Sequence, residues 1–214
     1  MSKVELIVCV DDGHPLDLKV AEIFLKKGIK AIFYIPIKNS EGLPVLGKKE
    51  IRYLSSNFEI GGHTYNHIDL TSVPINIARK EISSGKKELE EIIGKKIVTF
   101  CPPKGRFRKE ILKIAKDVGF KDFRGVKRIS FKKTSRNKFL WYPNLHIYPH
   151  SRLKDILECA INGDFYSLRK RLEHIKIDHL GLLDVFKRGN TPFYIWLHSW
   201  ELEKFKLWRL IENL

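Results

Sequence analysis

"VCVDDGHP", residues 8–15, sets two adjacent carboxylates directly behind an apolar run, VELIVCV (4–10), that reads as a buried strand. Adjacent aspartates repel each other, and a strand end beside a core solvates both poorly. A bound cation or proton-transfer chemistry therefore accounts for the pair better than packing does. The plainer reading is a turn in which Asp11 or Asp12 caps the next helix, because D-D-G is ordinary turn chemistry. The rest of the chain decides between them.

A length of 214 residues, with 43% apolar and 30% charged side chains, suits a soluble globular protein and a single domain over 1–214. No apolar stretch approaches the roughly 18 residues a membrane span needs. Behind Met1 the apolar run is broken by Glu5, with no basic leader and no small-residue cleavage site, so a cytoplasmic protein without a signal peptide is expected. Cys9, Cys101 and Cys159 are odd in number and widely spaced, which argues for reduced thiols rather than a disulfide framework. The net charge of +15 invites a nucleic-acid reading. The lysines, however, are scattered as doublets such as Lys26-Lys27 and Lys132-Lys133, which favours solvated helix faces. The absence of glutamine, a single methionine and heavy use of Lys and Ile lean towards a thermophile source, which a high melting midpoint would bear out.

Working outward from the acidic pair, apolar β-branched runs (4–10; 30–36; 96–100; 193–197) alternate with amphipathic stretches. Residues 17–27 place Leu18, Ala21, Ile23, Phe24 and Leu25 mostly on one side and end at Gly28, a helix stop. Residues 74–93, 107–118 and 201–214 read as helices too. Strand followed by helix, repeated, predicts a parallel sheet with helical cover. Residues 127–150 read as irregular and aromatic and 151–188 as mainly helical, so 127–188 is expected to carry insertions.

The unusual polar residues share one kind of position. Asp11 and Asp12 follow strand 4–10, "HTYNH" (63–67) follows FEIGG, "CPPKG" (101–105) follows KIVTF, and "HSWE" (198–201) follows FYIWL. Parallel strands present their carboxyl ends on one face, where sites are built, so the four segments should converge on one pocket. His63 and His67, at i and i+4, would stack on one face of a helical turn, the spacing at which two imidazoles share a metal such as zinc. Thr64 stands where a zincin carries its glutamate base, so the base must come from elsewhere. Of Asp11 and Asp12, one can complete a two-histidine, one-carboxylate set and the other can take a proton from water. A pair of surface or hydrogen-bonded histidines is the plainer alternative. His198 closes an apolar strand and suits a neutral-pH acid for an amide leaving group better than a structural role.

With D-D-G, H-x-x-x-H, P-P-x-G and a late L-H in this order, residues 4 to 200 resemble the polysaccharide deacetylase family, the NodB-homology or carbohydrate esterase 4 group. The resemblance implies an α/β fold, a distorted (β/α) barrel of about seven parallel strands, and removal of N-acetyl groups from amino sugars with a divalent metal, zinc first. By position it implies Asp11 as general base, Asp12, His63 and His67 as metal ligands, Thr64 as their support and His198 as general acid. The backbone N–H of Lys104, after Pro103, would be the donor to the tetrahedral oxyanion. Two departures stand out. Cys101 occupies the place of an arginine that orients the catalytic aspartate, and Arg124 or Arg106 could supply that charge from another direction. The usual aspartate and tryptophan of the fourth motif are not evident in 121–141. His14 reads as a turn residue ahead of an extra ligand, and Cys101 as a small buried side chain ahead of a thiolate ligand.

The expected substrate is a small N-acetylated sugar or glycan precursor, with anionic ones favoured by the positive surface. Two rivals stand beside it. One is hydrolysis of another C–N bond, in a cyclic imide or allantoin-like amide; the other is a non-catalytic basic nucleic-acid binder.

Overall fold

The computed structural model describes residues 5–189 and 192–214, so Val4, the first residue of the expected opening strand, lies outside the described residues. Eight strands form one sheet: β1 (Leu6–Asp11), β2 (Lys30–Ile35), β3 (Glu59–Gly62), β4 (Thr99–Phe100), β5 (Asp122–Arg124), β6 (Leu140–Trp141), β7 (Leu145–His146) and β8 (Phe193–His198). Their order is β6-β5-β4-β3-β2-β1-β8-β7 and every ladder between them is parallel. The sheet curls into a half-barrel, the distorted barrel that the family resemblance implies, with one strand more than the seven or so expected.

The three long strands β1, β2 and β8 are covered on both faces, which is why they read as unbroken apolar runs. Side chains still alternate. Val8 and Val10, Phe33 and Ile35, and Phe193, Ile195 and Leu197 join the large core beneath the helices. Cys9, Ile32, Tyr34, Tyr194 and Trp196 form a smaller cluster on the opposite, inner face with Cys101 and Trp141. The period of two carries Asp11 and His198 to that inner face at the strand ends, where they sit directly opposite each other in the β1–β8 ladder.

Nine α-helices pack around the sheet among the described residues: α1 (Asp17–Lys27), α2 (Lys48–Asn57), α3 (Ile75–Ile93), α4 (Lys109–Asp117), α5 (Arg152–Ile161), α6 (Phe165–Glu173), α7 (Leu182–Lys187), α8 (Ser199–Lys204) and α9 (Trp208–Glu212). Helix α1 stops at Gly28 in the left-handed conformation (φ 64°), as its sequence predicts. Besides β6 and β7, which fall in the stretch read as irregular, three elements depart from the sequence expectation. Helix α2 was not anticipated; the Glu50 carboxylate closes its first turn on the Gly47 N–H. Strand β4 is shorter than 96–100 because Glu90 accepts from the Ile97 N–H (3.0 Å) and Lys86 donates to the Ile97 carbonyl (2.7 Å), tying that segment to α3 instead. The expected helix 201–214 breaks at Phe205–Leu207, where Lys206 is left-handed (φ 56°), and α9 turns back to bury Ile211 and set Trp208 under the Lys19 ammonium of α1 (3.8 Å). No described helix is long and apolar enough to cross a membrane.

Candidate active site

Asp11, Asp12, His63, His67, Lys104 and His198 line one cavity of about 210 Å³ at the carboxyl end of the sheet, walled by Val126, Trp196 and Trp200. All four strand-end segments therefore meet. Four of the five non-glycine residues with left-handed backbone among the described residues are here: Asp12 (φ 78°), Thr64 (φ 68°), His67 (φ 56°) and Lys104 (φ 59°). Such conformations cost free energy and persist where surrounding structure imposes them, commonly at functional sites.

The segment 63–67 is not the helical turn its spacing suggests. It is a loop, and its left-handed residues fold it so that the two rings lie 5.1 Å apart. Thr64 Oγ1 accepts from the His67 N–H (3.0 Å), and Glu81 of α3 accepts from the Tyr65 and Asn66 amides (3.2 and 2.8 Å). Helix α3 approaches so closely that a Cβ on Gly85 would lie 2.6 Å from the Thr64 carbonyl carbon. His63 Nδ1 lies 2.7 Å from the Cys101 carbonyl. A carbonyl can only accept, so Nδ1 carries the proton and Nε2 is left with its lone pair.

Both Nε2 atoms face Asp12 Oδ1, at 3.4 Å for His63 and 3.0 Å for His67. The ligand atoms of these three buried residues all lie within 4.8 Å of one another. Two imidazoles and one carboxylate are the donor chemistry of a catalytic divalent-metal site with an open position, so the residues fit such an ion. Trp200 Nε1 donates to the other Asp12 oxygen (3.0 Å). Burial alone would raise the Asp12 carboxyl, but the neighbouring imidazoles of His198, His63 and His67 outweigh it and hold the group well below the usual carboxylate range.

Asp11 is buried and paired through Oδ2 with Nη2 of the fully buried Arg124, while its Oδ1 has no hydrogen-bond partner. Arg124 rests over the Tyr34 ring (4.7 Å) and donates to Cys101 Sγ (3.0 Å). Burial pushes the Cys101 thiol well above its ordinary range, so it is a neutral acceptor beside the guanidinium, outside the Asp12–His63–His67 group. Arg106 pairs with Asp69 instead (3.1 Å).

His198 Nδ1 lies 2.7 Å from Glu201 Oε2, and its Nε2 lies 3.8 Å from Asp12 Oδ2. Burial opposes charge on this ring, yet Asp12 and Glu201 prevail and raise it to about 9, while Glu201 is held down at about 2. His146 stands behind, its Nε2 3.3 Å from the same Glu201 oxygen and its ring stacked on Trp196 at 3.5 Å. Burial drives His146 down to about 3. His14 lies outside the cavity lining and uses Nδ1 to accept the Leu16 N–H (3.2 Å), a turn role. Pro103 is buried in the 3₁₀ turn 103–105, and Pro102 rather than Pro103 reaches the cavity.

Trp200 and Glu201 stand in the HSWE segment without a role assigned from sequence, and Glu41 and His146 are not among the sequence candidates. The H-x-x-E spacing of 198–201 was a usable signal once α8 was placed; His146 and Glu41 had none. Glu41 pairs with the Lys104 ammonium (2.7 Å) and lies 3.6 Å from His67 Nδ1 at the cavity mouth.

Comparison with known proteins bears on this arrangement. The family model for polysaccharide deacetylase matches residues 1–123. Uncharacterized protein YlxY of Bacillus subtilis is 30% identical over 112 residues, 52% of this chain and 34% of the relative. A peptidoglycan-N-acetylglucosamine deacetylase of Bacillus cereus is 28% identical over 121 residues, 56% of this chain and 43% of the relative. The chain thus spans less than half the length of these curated relatives. Among solved structures, the Streptococcus pyogenes deacetylase PplD in complex with acetate aligns with a TM-score of 0.57 at 21% identity, covering 70% of this chain and 67% of that one. A CE4 family pseudoenzyme from Bacillus anthracis aligns with a TM-score of 0.54 at 16% identity, covering 99% and 62%. At these identities the structural likeness speaks for the fold alone.

Proposed function

The chain belongs to the polysaccharide deacetylase family, and from that premise we propose that it is a metal-dependent hydrolase that removes an N-acetyl group from an amino sugar or small glycan precursor. The observation that carries this reading is the juxtaposition, in one small cavity, of the Asp12–His63–His67 donor set with an unpartnered Asp11 oxygen and a charged His198.

Asp12, His63 and His67 would hold the ion, zinc by donor type. Bound there, a divalent ion supplies Lewis acidity to the acyl carbonyl and eases ionisation of water. The remaining work falls to side chains and backbone. Asp11 accepts the proton of the attacking water at Oδ1, while Arg124 keeps Oδ2 occupied and so aims the free oxygen. The Lys104 N–H, in its left-handed turn, is the donor to the developing oxyanion. His198 then gives its Nε2 proton to the departing nitrogen, without which an amine is a very poor leaving group. Glu201, accepting from Nδ1, fixes the tautomer and orientation for that step. Trp196, Trp200 and Val126 shield the reacting centre from bulk water.

Acetate release from a panel of N-acetylated amino sugars tests the reading, using zinc-loaded protein. Turnover should vanish on chelation and in Asp11→Asn, with zinc still bound in the variant. Zinc-loaded protein that releases no acetate from any of them would overturn it; cleavage of a cyclic imide that survives chelation would point to the other C–N hydrolase class.

A further inference from the structure

Helices α5 and α6 form a hairpin that wears its polar side inward. Asp155 of α5 pairs with Arg171 of α6 (3.0 Å) and with His179 (2.7 Å), and Ser167 Oγ accepts from the Phe131 N–H (2.9 Å), all four side chains being buried. The outward side is apolar. Leu153, Leu157 and Ile161 recur every four residues along α5 and so form one stripe opposite Asp155 and Cys159. Phe165 and Leu172, two turns apart on α6, face away from Ser167 and Arg171 in the same manner. Eleven large hydrophobic side chains are exposed among the described residues, and seven of them fall within 153–175. Single exposed leucines are ordinary, whereas such a concentration on one hairpin marks an interaction face.

The patch projects most at the turn between the two helices. Ile161 and Phe165, 82% and 73% exposed, stand on either side of it, and Gly163 makes the reversal in the left-handed conformation (φ 61°). Asp164 fastens the corner, its carboxylate accepting the Ser167 N–H (3.1 Å) and its own N–H donating to the Cys159 carbonyl (2.9 Å). The apolar tip is therefore a fixed corner of the fold.

The charges around it are mostly of one sign. Arg152, Lys154, Arg169 and Lys176 are exposed, and the Arg152 guanidinium donates to the Lys176 carbonyl (3.0 Å), which gathers two of them at the end away from the tip. Glu173 and Asp178 are the exposed acids of 151–178. The other three are withdrawn: Asp155 and Asp164 are buried, and Glu158 is half-buried against Arg128 (2.7 Å). A second copy seated here would set these cations against their like, on a chain whose net charge is already +15. An anionic, fluid interface answers both features, since it attracts the cations and receives a projecting apolar tip without a preformed pocket.

We propose that the outer face of the α5–α6 hairpin docks the protein on an anionic lipid surface. Ile161 and Phe165 enter the acyl boundary, and the flanking arginines and lysines rest on the headgroup phosphates. The helices, of ten and nine residues, lie on the bilayer and are too short to span it. The inference is independent of the deacetylase reading, and its test needs no activity.

The test is co-flotation of the full chain with vesicles of phosphatidylcholine alone, or of equal parts phosphatidylcholine and phosphatidylglycerol. Partitioning should favour the anionic vesicles by roughly tenfold or more and weaken with salt. Ile161→Ser/Phe165→Ser, at exposed positions, should lower it by roughly tenfold or more with an unchanged melting midpoint. In Phe165→Trp the added indole fluorescence should be quenched by lipids brominated in the acyl chain. Failure to float with anionic vesicles would overturn the proposal, as would flotation that the double variant leaves intact or an indole beyond reach of the bromines. A dimer in sedimentation equilibrium that the double variant dissolves would also overturn it, giving the face to a second copy.

Discussion

Arg124, the last residue of β5, donates to Asp11, the last residue of β1, although four positions separate the two strands in the sheet order. The curl of the sheet brings the ends of these strands face to face across its interior. Arg124 is thus the cation beside Asp11, and Cys101, at the head of CPPKG, is its small neutral neighbour.

Removing that cation leaves a buried carboxylate without compensation. Arg124→Met should cost about 3–5 kcal/mol of stability in denaturant unfolding, and adding Asp11→Asn should recover most of it while activity stays lost. A double variant as unstable as Arg124→Met alone would show that the pair is not coupled.

His198 is raised from 6.5 to about 9 by Asp12 and Glu201 acting against burial. A ring that holds its proton more tightly when folded stabilises the fold, fully below pH 6.5, and that contribution disappears as pH rises through about 9. In metal-free Glu201→Gln the NMR titration midpoint of His198 should move down and the alkaline fall in stability should begin earlier. The basic limb of the deacetylation pH profile should shift the same way, and an unmoved midpoint would remove Glu201 from its role.

Trp200 holds Asp12 Oδ2 through its indole N–H. Groups that orient a metal ligand from behind change affinity by about 10–100-fold when removed. Trp200→Phe should therefore weaken zinc binding within that range, measured by competition with a chelator, with the melting midpoint little altered.

Gly85 lies on α3, outside the catalytic cavity, yet has no room for a side chain beside the Thr64–Tyr65 backbone. Gly85→Ala should cost about 1–3 kcal/mol by overpacking and displace the loop carrying His63 and His67. Zinc affinity should fall along with stability, which an ordinary surface substitution on α3 would not cause.

Much of this architecture was legible in the order of residues. Apolar runs of strand length, the glycine after 17–27 and acids or imidazoles at successive strand ends are local patterns, and they predicted a parallel sheet with its polar residues gathered at one rim. The alternation along β1 and β8 likewise determined that Asp11 and His198 share a face, because the period of two is a property of the backbone itself. Other features lay beyond local pattern. The H-x-x-x-H spacing suggested a helical turn, but packing against Gly85 and the bonds from Glu81 imposed a left-handed loop. Arg124 was one of two candidate cations until the curl of the sheet selected it, and His146 reaches the His198–Glu201 pair from a segment whose sequence shares no signal with theirs. Local periodicity reports which way each side chain points; which distant groups then meet depends on how far the sheet closes, a property of the whole packed chain.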